Sequence, residues 1–228
     1  MEEMRVLEVK TLDEIDAIIT KNSDSTNIPR YIFQTWRSHE VSPQVYERVQ
    51  KMQQDNPDWH YCFFTDAMCR EFIEKHFDTA VLAAYDNLIP GAYKADLWRY
   101  CVLYHYGGMY MDIKMTALVS LDDIIKNQPR FMVARDRFFN YMKGDFYCYN
   151  AFMCSQKNHP ILKLAIERVV ENVKNNYYGT DTLLPTACGL LGLTVNIFLN
   201  KSPESTLLPG TYSIEKDGHI EIPPIIIF

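Results

Sequence analysis

Residues 92–106, AYKADLWRYCVLYHY, form a segment that is apolar on nearly every face between Ala95 and Tyr104. A helix of this kind has to be buried, so other layers of structure must cover it on more than one side. Gly107 and Gly108 end the helix, and MYMDI follows as a strand. This segment predicts a helix packed inside a layered domain, followed by a strand that ends at Asp112.

Two similar strand–helix units precede this segment. The run 30–36, RYIFQTW, predicts a buried strand, and Ser42 with Pro43 starts the next helix. The run 59–65, WHYCFFT, predicts a second strand, with Asp66 as the cap of the following helix. Further strands are predicted in RFMVARD, FYCYNAFMCS and the closing IPPIIIF, and further helices in LDEIDAIIT, after His159 and Pro160, and after Pro185. This alternation predicts an α/β fold, a sandwich of helices around a mainly parallel central sheet.

The chain length predicts one domain. The 228 residues, 47% of them hydrophobic, are enough to bury a sizeable core. Residues 1–27 are interpreted as a polar lead-in with one short helix, and residues 28–228 as a single domain. No repeat, low-complexity tract or linker divides this range.

Charge and cysteine content exclude several classes of protein. A net charge of −6, with no run of Lys or Arg, argues against a binder of nucleic acid or anionic membranes. The six cysteines stand singly among apolar residues, which predicts reduced core thiols. The acidic start MEEMRVLEVK has no apolar core, so a signal peptide is not expected, and no run is long enough to span a membrane. We expect a cytoplasmic protein.

The predicted buried helix carries two charges, Asp96 and Arg99, at a spacing that lets them pair. An internal ion pair that only fastens the helix and a ligand site are both compatible with this pattern. The following strand adds Tyr110 and Asp112, and the glycine pair before it is expected to let backbone approach a ligand. Tyr110 alternates with its methionine neighbours, so it should share the face of Asp112.

Polar side chains recur at predicted strand ends, where ligands bind in α/β sheets. Their positions are Gln34, Thr35, Trp36, Thr65, Asp66, Asp112 and Lys114. Trp36 fits either a core aromatic or a stacking surface for a base, and Asn150 fits either a ligand contact or a satisfied strand amide. His219, after a predicted turn, is either a solvated residue or a late ligand for a metal or phosphate.

Several runs together resemble the DXD-containing sugar transferases, glycosyltransferase family 32. They are IPRYIFQTW, NPDWHYCFFTD, IPGAYKADLWRYCVLYHYGGMYMDI, YNAFMCSQKNHP and LPTACG, between about Ile28 and Gly189. The family includes yeast initiating mannosyltransferases and bacterial capsular sugar transferases and, more distantly, resembles clostridial glucosylating toxins. The resemblance implies a GT-A nucleotide-sugar transferase fold and transfer of a glycosyl group from a UDP- or GDP-sugar to an acceptor hydroxyl, on a glycan, with retained anomeric configuration.

The resemblance also implies roles for individual residues. Gln34, Thr35 and Trp36 match the wall around the donor nucleotide, and Tyr110 the residue under it. Asp96 and Arg99 match the pair that holds the donor sugar and diphosphate, and Asn150 an Asn near the transferred sugar. Asp112 matches the first aspartate of the DXD motif and is a candidate metal ligand, with His219 as another. TACG departs from the Thr-Gly-Pro that is usual in the family.

Lys114 stands where the second DXD aspartate would bind Mn²⁺ or Mg²⁺. A protonated lysine cannot ligate a metal, yet its ammonium can contact a diphosphate directly. Together with Asp96, Arg99 and Asp112 it is therefore a candidate catalytic residue that replaces the metal.

Two alternatives remain open at this stage. One is a nucleotide-sugar-binding pseudoenzyme, and the other is a nucleotidyltransferase, which would release pyrophosphate. A bacterial or virus-encoded enzyme, or an excised catalytic domain, fits the absence of a membrane anchor.

Overall fold

The computed structural model of the chain describes residues 3–20, 27–137, 142, 144–214 and 218–222. Its strands are β1 (Arg5–Val6), β2 (Tyr31–Trp36), β3 (Glu40–Val41), β4 (His60–Thr65), β5 (Gly108–Met111), β6 (Phe131–Arg135), β7 (Cys148–Ser155), β8 (Gly210–Ile214) and β9 (Gly218–Ile222). Its helices are α1 (Leu12–Thr20), α2 (Pro43–Asp55), α3 (Asp66–His76), α4 (Thr79–Asn87), α5 (Gly91–Tyr106), α6 (Leu121–Ile124), α7 (Pro160–Lys174) and α8 (Cys188–Phe198).

A seven-stranded sheet in the order β4-β2-β5-β7-β6-β9-β8 forms the centre of the described structure. β2 pairs in parallel with β4 and β5, and β6 with β9. β7 is antiparallel to β5 and β6, and β8 to β9. Five of these seven strands therefore run in one direction, which confirms the predicted mainly parallel sheet. β1 and β3 form a separate antiparallel pair.

Alternating side chains of the central strands serve two core layers. Phe33 of β2 and Tyr110 of β5 belong to the larger core, which they share with α1, α3, α5, α7 and α8. Ile32, Met109 and Met111 point to the other face and pack in a second cluster with Met52 of α2 and Leu121 of α6. The prediction that Tyr110 faces away from its methionine neighbours is confirmed, and the sandwich has helices on both sides.

Helix starts follow the predicted capping signals with one exception. Ser42 caps α2 by accepting a hydrogen bond from the amide of Val45, as predicted. At α3 the prediction was wrong, because the hydroxyl of Thr65 accepts from the amide of Met68 and Asp66 is already helical. A carboxylate in the first turn remains favourable for the helix dipole.

The glycine pair before Asp112 has a different role from the predicted one. Gly107 and Gly108 have φ of 70° and 113°, a region that glycine adopts without steric cost. A Cβ atom would lie 2.7 Å from the backbone nitrogen of Lys157 at Gly107 and 2.8 Å from the carbonyl oxygen of Tyr31 at Gly108. The pair therefore admits neighbouring backbone at the amino end of β5, and the prediction that it admits a ligand was wrong.

The amino-terminal helix α1 contributes to the main core. Leu12, Ile15 and Ile19 are buried in it. The proposed boundary between residues 1–27 and 28–228 stays a prediction. All six cysteines are free and buried, which confirms the predicted reduced thiols.

Within the described residues, no helix combines the length and apolar character needed to cross a membrane. The predicted strand IPPIIIF lies outside the described residues after Ile222.

Candidate functional site

A cavity of about 470 Å³ opens at the edge of the sheet where β2, β4 and β5 end. Because these strands are parallel, their carboxyl ends meet at this edge, and α5 begins there with Gly91. The lining residues are Thr35, Trp36, Arg37, Asp66, Gly91, Ala92, Ala95, Arg99, Tyr110, Asp112, Ile113 and Lys114. Of the seven polar strand-end residues, five converge at this cavity, and the other two, Gln34 and Thr65, do not line it.

Arg99 is the buried cation of this cavity. Its guanidinium carbon lies 4.6 Å from the centre of the Tyr110 ring, a cation–π arrangement. One terminal nitrogen donates to the carbonyl oxygen of Asn150 at 2.9 Å, and the other lies 3.4 Å from Asp96 and 3.7 Å from Asp112. Burial lowers the pKa of Arg99, but Tyr110, Asp96 and Asp112 outweigh that effect and hold the pKa above its ordinary value. A permanent positive charge is thus fixed at the cavity wall.

Asp96 lies behind this wall and is buried. One carboxylate oxygen accepts a hydrogen bond from the side-chain amide of Asn150 at 2.9 Å, and the other accepts from the hydroxyl of Thr186 at 2.8 Å. Burial raises the pKa of Asp96, while Arg99 and these two donors oppose that shift. The pair is thus internal, as one interpretation predicts, and Arg99 also lines the cavity, so the ligand-site interpretation stays a prediction.

Asn150 connects Asp96 to the first residue of α8. Its amide nitrogen also lies 3.2 Å from the hydroxyl of Tyr100, and its amide oxygen accepts from the thiol of Cys188 at 3.1 Å. With 4% of its surface exposed, Asn150 is a satisfied strand amide in this structure. It orients the ion pair from behind, and its predicted contact with a sugar stays a prediction.

Asp112 follows β5 at the mouth of the cavity. Its side chain is 45% exposed, and one oxygen accepts a hydrogen bond from the hydroxyl of Tyr110 at 2.6 Å. The Tyr110 ring thus has the guanidinium of Arg99 on its face and the carboxylate of Asp112 at its hydroxyl. The prediction that Tyr110 and Asp112 share a face is confirmed.

Lys114 and Trp36, which both line the cavity, form a second cation–aromatic pair. The ammonium nitrogen lies 5.2 Å from the Trp36 ring centre. Trp36 packs partly against a small core cluster and also lines the cavity. Trp36 is therefore partly a core aromatic, and its stacking on a base stays a prediction.

Gln34 and Thr35 support the wall from β2. Gln34 is buried, donates to the backbone carbonyl of Asp112 at 3.3 Å and accepts from the hydroxyl of Tyr61 at 3.0 Å. Thr35 lines the cavity while its hydroxyl donates to the carbonyl of Phe64 at 2.9 Å. Gln34 thus positions the backbone at Asp112 from behind the wall.

His219 is not brought to this cavity. It lies at the amino end of β9, next to Ile220, which pairs with Phe131 of β6. Phe131 pairs with Ser155 of β7, and Ser155 pairs on its other side with Gly108, the first residue of β5. His219 is therefore level with the amino end of β5. Asp112 lies beyond the other end of β5, so the two residues are about 20 Å apart by strand spacing and rise. His219 is 3.8 Å from Glu221.

The residues from 42 to 132 match the family model described as "Glycosyltransferase sugar-binding region containing DXD motif". The chain is 31% identical over 195 residues to inositol phosphoceramide mannosyltransferase 2 of Schizosaccharomyces pombe, covering 80% of this chain and 53% of that relative. It is 26% identical over 217 residues to the initiation-specific alpha-1,6-mannosyltransferase of Candida albicans, covering 79% of this chain and 56% of that relative. Residues 42–132 therefore resemble the sugar-binding region of the DXD-containing sugar transferases.

The structure of PaToxG Glycosyltransferase superposes on this chain with a TM-score of 0.60 at 15% identity, covering 82% of this chain and 75% of that one. This likeness shows the fold and confirms the predicted GT-A architecture. The chain spans about half the length of the two curated relatives.

The surroundings of Asp112 differ from those that the divalent ion of a DXD motif needs. Hard cations prefer several carboxylate oxygens, but Asp112 already accepts from Tyr110 and lies near Arg99, and Lys114 adds a cation. Among the described residues, the one group of three side chains with converging metal-binding atoms lies elsewhere in the molecule. These residues therefore do not fit a divalent ion held by the protein at Asp112.

Sequence reasoning missed three contributions to this site. Thr186, from a segment that departs from the family pattern, binds Asp96. Arg37, directly after β2, lines the cavity together with Gly91 at the start of α5. The position of Arg37 next to Trp36 was an available signal, whereas the contact of Thr186 depends on a distant segment of the chain.

Proposed function

We propose that this protein is a sugar transferase that moves a glycosyl group from a UDP- or GDP-sugar to an acceptor hydroxyl on a glycan. One observation carries this proposal: the fixed guanidinium of Arg99 and the exposed carboxylate of Asp112 meet, 3.7 Å apart, at the carboxyl edge of a GT-A sheet. A nucleotide sugar needs a cation for its diphosphate and an acceptor group for its sugar hydroxyls, and both are present. The named activities of the relatives make nucleotide-linked mannose the first donor to test.

The cavity residues divide between the parts of such a donor. Trp36 offers an aromatic surface to the base, Arg99 and Lys114 face the diphosphate, and the free carboxylate oxygen of Asp112 accepts from sugar hydroxyls. Asp96, Asn150 and Gln34 act as positioning residues, since they are buried and hold Arg99 or the backbone at Asp112 in place. A site supported in this way loses little free energy to reorganisation when the donor binds.

Lys114 is proposed to supply the positive charge that a metal supplies in other members of the family. Its ammonium lies 5.2 Å from the Trp36 ring centre, Lys114 lines the same cavity as Arg99, and together they give the diphosphate two cations. These charges stabilise the nucleoside diphosphate as it leaves. Mn²⁺ or Mg²⁺ is then expected to have a weak effect on donor binding.

The proposed reaction retains the anomeric configuration. The bond between the anomeric carbon and the diphosphate oxygen breaks, and the acceptor oxygen bonds to that carbon on the same face. The acceptor proton passes to the departing phosphate oxygen, so the reaction needs no base from the protein. Proton NMR of the first product distinguishes this course from inversion, which would place the new bond on the opposite face.

A second cavity is the proposed binding site for the acceptor glycan. It measures about 780 Å³ and is lined by the segment before α5, the end of α7 and residues 176–178, 185 and 186. Pro90 and Tyr93 of this cavity flank Gly91 and Ala92 of the first one. Its rim includes Tyr178, which is 76% exposed, and the amide side chains of Asn87, Asn172 and Asn176. Flat rings and amides suit a neutral glycan.

The test is calorimetric titration with UDP- and GDP-sugars, each in EDTA and in Mn²⁺, followed by an assay of nucleoside diphosphate release with glycan acceptors. Binding in EDTA and acceptor-dependent release of the diphosphate are the expected results. Binding without turnover over a broad acceptor panel supports the pseudoenzyme instead. Release of pyrophosphate supports a nucleotidyltransferase, and absence of binding in both conditions contradicts the proposal.

A further inference from the structure

A second polar cluster lies at the end of α5 that is remote from the donor cavity. It consists of Asp16 of α1, His76 at the end of α3 and His105 near the end of α5. His105 is thirteen positions after Ala92 in a straight run of helix, which corresponds to about 20 Å at the α-helical rise. The proposed transfer reaction therefore does not use this cluster.

The three side chains offer a donor set that is typical of zinc. One nitrogen from each imidazole and one oxygen of Asp16 lie within 4.8 Å of one another. The Nε2 atom of His76 and the Oδ1 atom of Asp16 are already 3.3 Å apart. Ligand atoms in a tetrahedral zinc site lie about 3.3 Å apart, so His105 needs to approach by at most about 1.5 Å.

Partial burial makes the cluster different from an exposed acidic group. The side chain of Asp16 is 22% exposed and that of His76 is 13% exposed, so a bound ion would have few competing waters. The two imidazole rings lie with their centres 4.2 Å apart.

The competing interpretation is a hydrogen-bond network without an ion. Tyr106 donates to Asp16, and the ammonium of Lys75 lies 2.8 Å from the other oxygen of Asp16. Lys75 opposes a cation at this place, but it also lies 2.5 Å from Asp13. It can therefore keep an ionic partner when Asp16 turns to a metal.

We propose that Asp16, His76 and His105 form a zinc site that fastens α1 to α3 and α5. Two neutral imidazoles, one carboxylate and one water complete the four-coordinate shell that Zn²⁺ prefers. Tyr106, by its hydrogen bond to Asp16, acts as the partner that orients the carboxylate. The site is structural, and its consequence is a zinc-dependent attachment of the amino-terminal helix.

The test is equilibrium dialysis of the full chain against ZnCl₂, with zinc measured by atomic emission. We expect one Zn²⁺ per chain, affinity at least about tenfold weaker in His105→Gln, and unchanged affinity in His60→Gln, which removes an exposed histidine. Lys75→Met should bind more tightly because it removes the competing ammonium. Zinc should raise the thermal midpoint of the wild type and leave that of His105→Gln unchanged.

Co²⁺ binding gives a readout that needs no variant. A tetrahedral site with nitrogen and oxygen ligands produces visible absorption bands, and Zn²⁺ should remove them. The proposal is overturned if the wild type and Lys75→Met both fail to bind zinc at about 100 micromolar, which corresponds to a binding free energy of about −5.5 kcal/mol. It is equally overturned if His105→Gln binds as tightly as the wild type.

Discussion

The guanidinium of Arg99 lies 4.6 Å from the ring centre of Tyr110, whose hydroxyl donates to Asp112 at 2.6 Å. This relationship connects a buried helix to the end of a central strand through one aromatic ring. It places a positive and a negative group side by side at the cavity without direct hydrogen bonding between them. Each group is therefore fixed in position and still open to a ligand.

Replacement of Arg99 by lysine should weaken donor binding at least about tenfold. Lysine retains the charge that pairs with Asp96, but it loses the planar contact with Tyr110 and the bond to the Asn150 carbonyl. Calorimetry with the best donor measures the effect. Arg70→Lys, in exposed ion pairs on α3, is the matched control and should bind as the wild type does. Equal donor affinity in Arg99→Lys and wild type would contradict the assigned role.

Variants of Lys114 should separate a lysine-based site from a lost metal site. We expect wild-type turnover to persist in EDTA and to fall at least about tenfold in Lys114→Met, since the leaving diphosphate loses one cation. Lys163→Met, on the surface of α7, should retain wild-type turnover. Initial rates with EDTA and with Mn²⁺ provide the measurement. If the wild type is inactive and Lys114→Asp gains Mn²⁺-dependent turnover, the wild-type site has instead lost a metal ligand at position 114.

The sequence predicted the parts of the fold whose signals are local. The limits of α1 and the cap of α2 at Ser42 could be predicted because turn chemistry and periodicity lie within a few residues. Helix α4 was not predicted, although Asp78 caps it through two backbone amides, because its apolar pattern is weak. The cap of α3 was misplaced by one residue because Thr65 and Asp66 are both good capping residues.

The site was predictable where its residues follow strands and less so where distant segments meet. Arg99, Tyr110 and Asp112 fall at positions that the parallel sheet brings to one edge. The donation from Thr186 to Asp96 joins residues 90 positions apart, and no periodicity signals such a contact. His219 was assigned to the site because the sequence alone does not reveal at which end of the sheet β9 begins.

Thr186→Val should destabilise the fold and impair the site together. The hydroxyl of Thr186 is the donor to the second oxygen of Asp96, at 2.8 Å in a buried position, and valine keeps the shape without that bond. Loss of a hydrogen bond to a buried carboxylate costs about 1–3 kcal/mol. Urea unfolding gives the stability and calorimetry gives donor affinity, which should also fall.

The matched control for this substitution is Thr194→Val in α8. Thr194 is also buried, but its hydroxyl donates to the backbone carbonyl of Leu190 within the same helix. The expected cost is below about 1 kcal/mol, since a carbonyl in a helix already has a backbone donor. Equal losses of stability in the two variants would show that the hydrogen bond from Thr186 to Asp96 contributes no more to stability than the bond of Thr194 within its helix.

Tyr178→Ala should raise the KM for a glycan acceptor at least about threefold and leave the KM for the donor unchanged. Tyr178 is 76% exposed at the rim of the second cavity, so its removal should leave the core intact. Steady-state kinetics with each substrate varied in turn separates the two constants. Val6→Ala, an exposed apolar residue on β1, serves as control. A change confined to the donor KM would place the acceptor elsewhere.

Acid should destabilise the protein through His159, which is buried and caps α7. Its imidazole accepts a hydrogen bond from the amide of Ile161, and burial together with Arg130 lowers its pKa to about 3. In the unfolded chain its pKa is about 6.5, so below that pH the unfolded state gains a proton that the folded state does not. The contribution of His159 to the free energy of unfolding is therefore retained above about pH 6.5 and falls by about 2 kcal/mol between pH 7 and pH 5.

The variant His159→Asn removes this titration and retains a side chain that can cap the helix. Its free energy of unfolding in urea should therefore fall less between pH 7 and pH 5 than that of the wild type, by about 2 kcal/mol. His60→Asn removes an exposed histidine and should keep the wild-type dependence on pH. If His159→Asn and wild type lose the same stability over this interval, the imidazole of His159 is protonated in the folded protein, and acid sensitivity has another source.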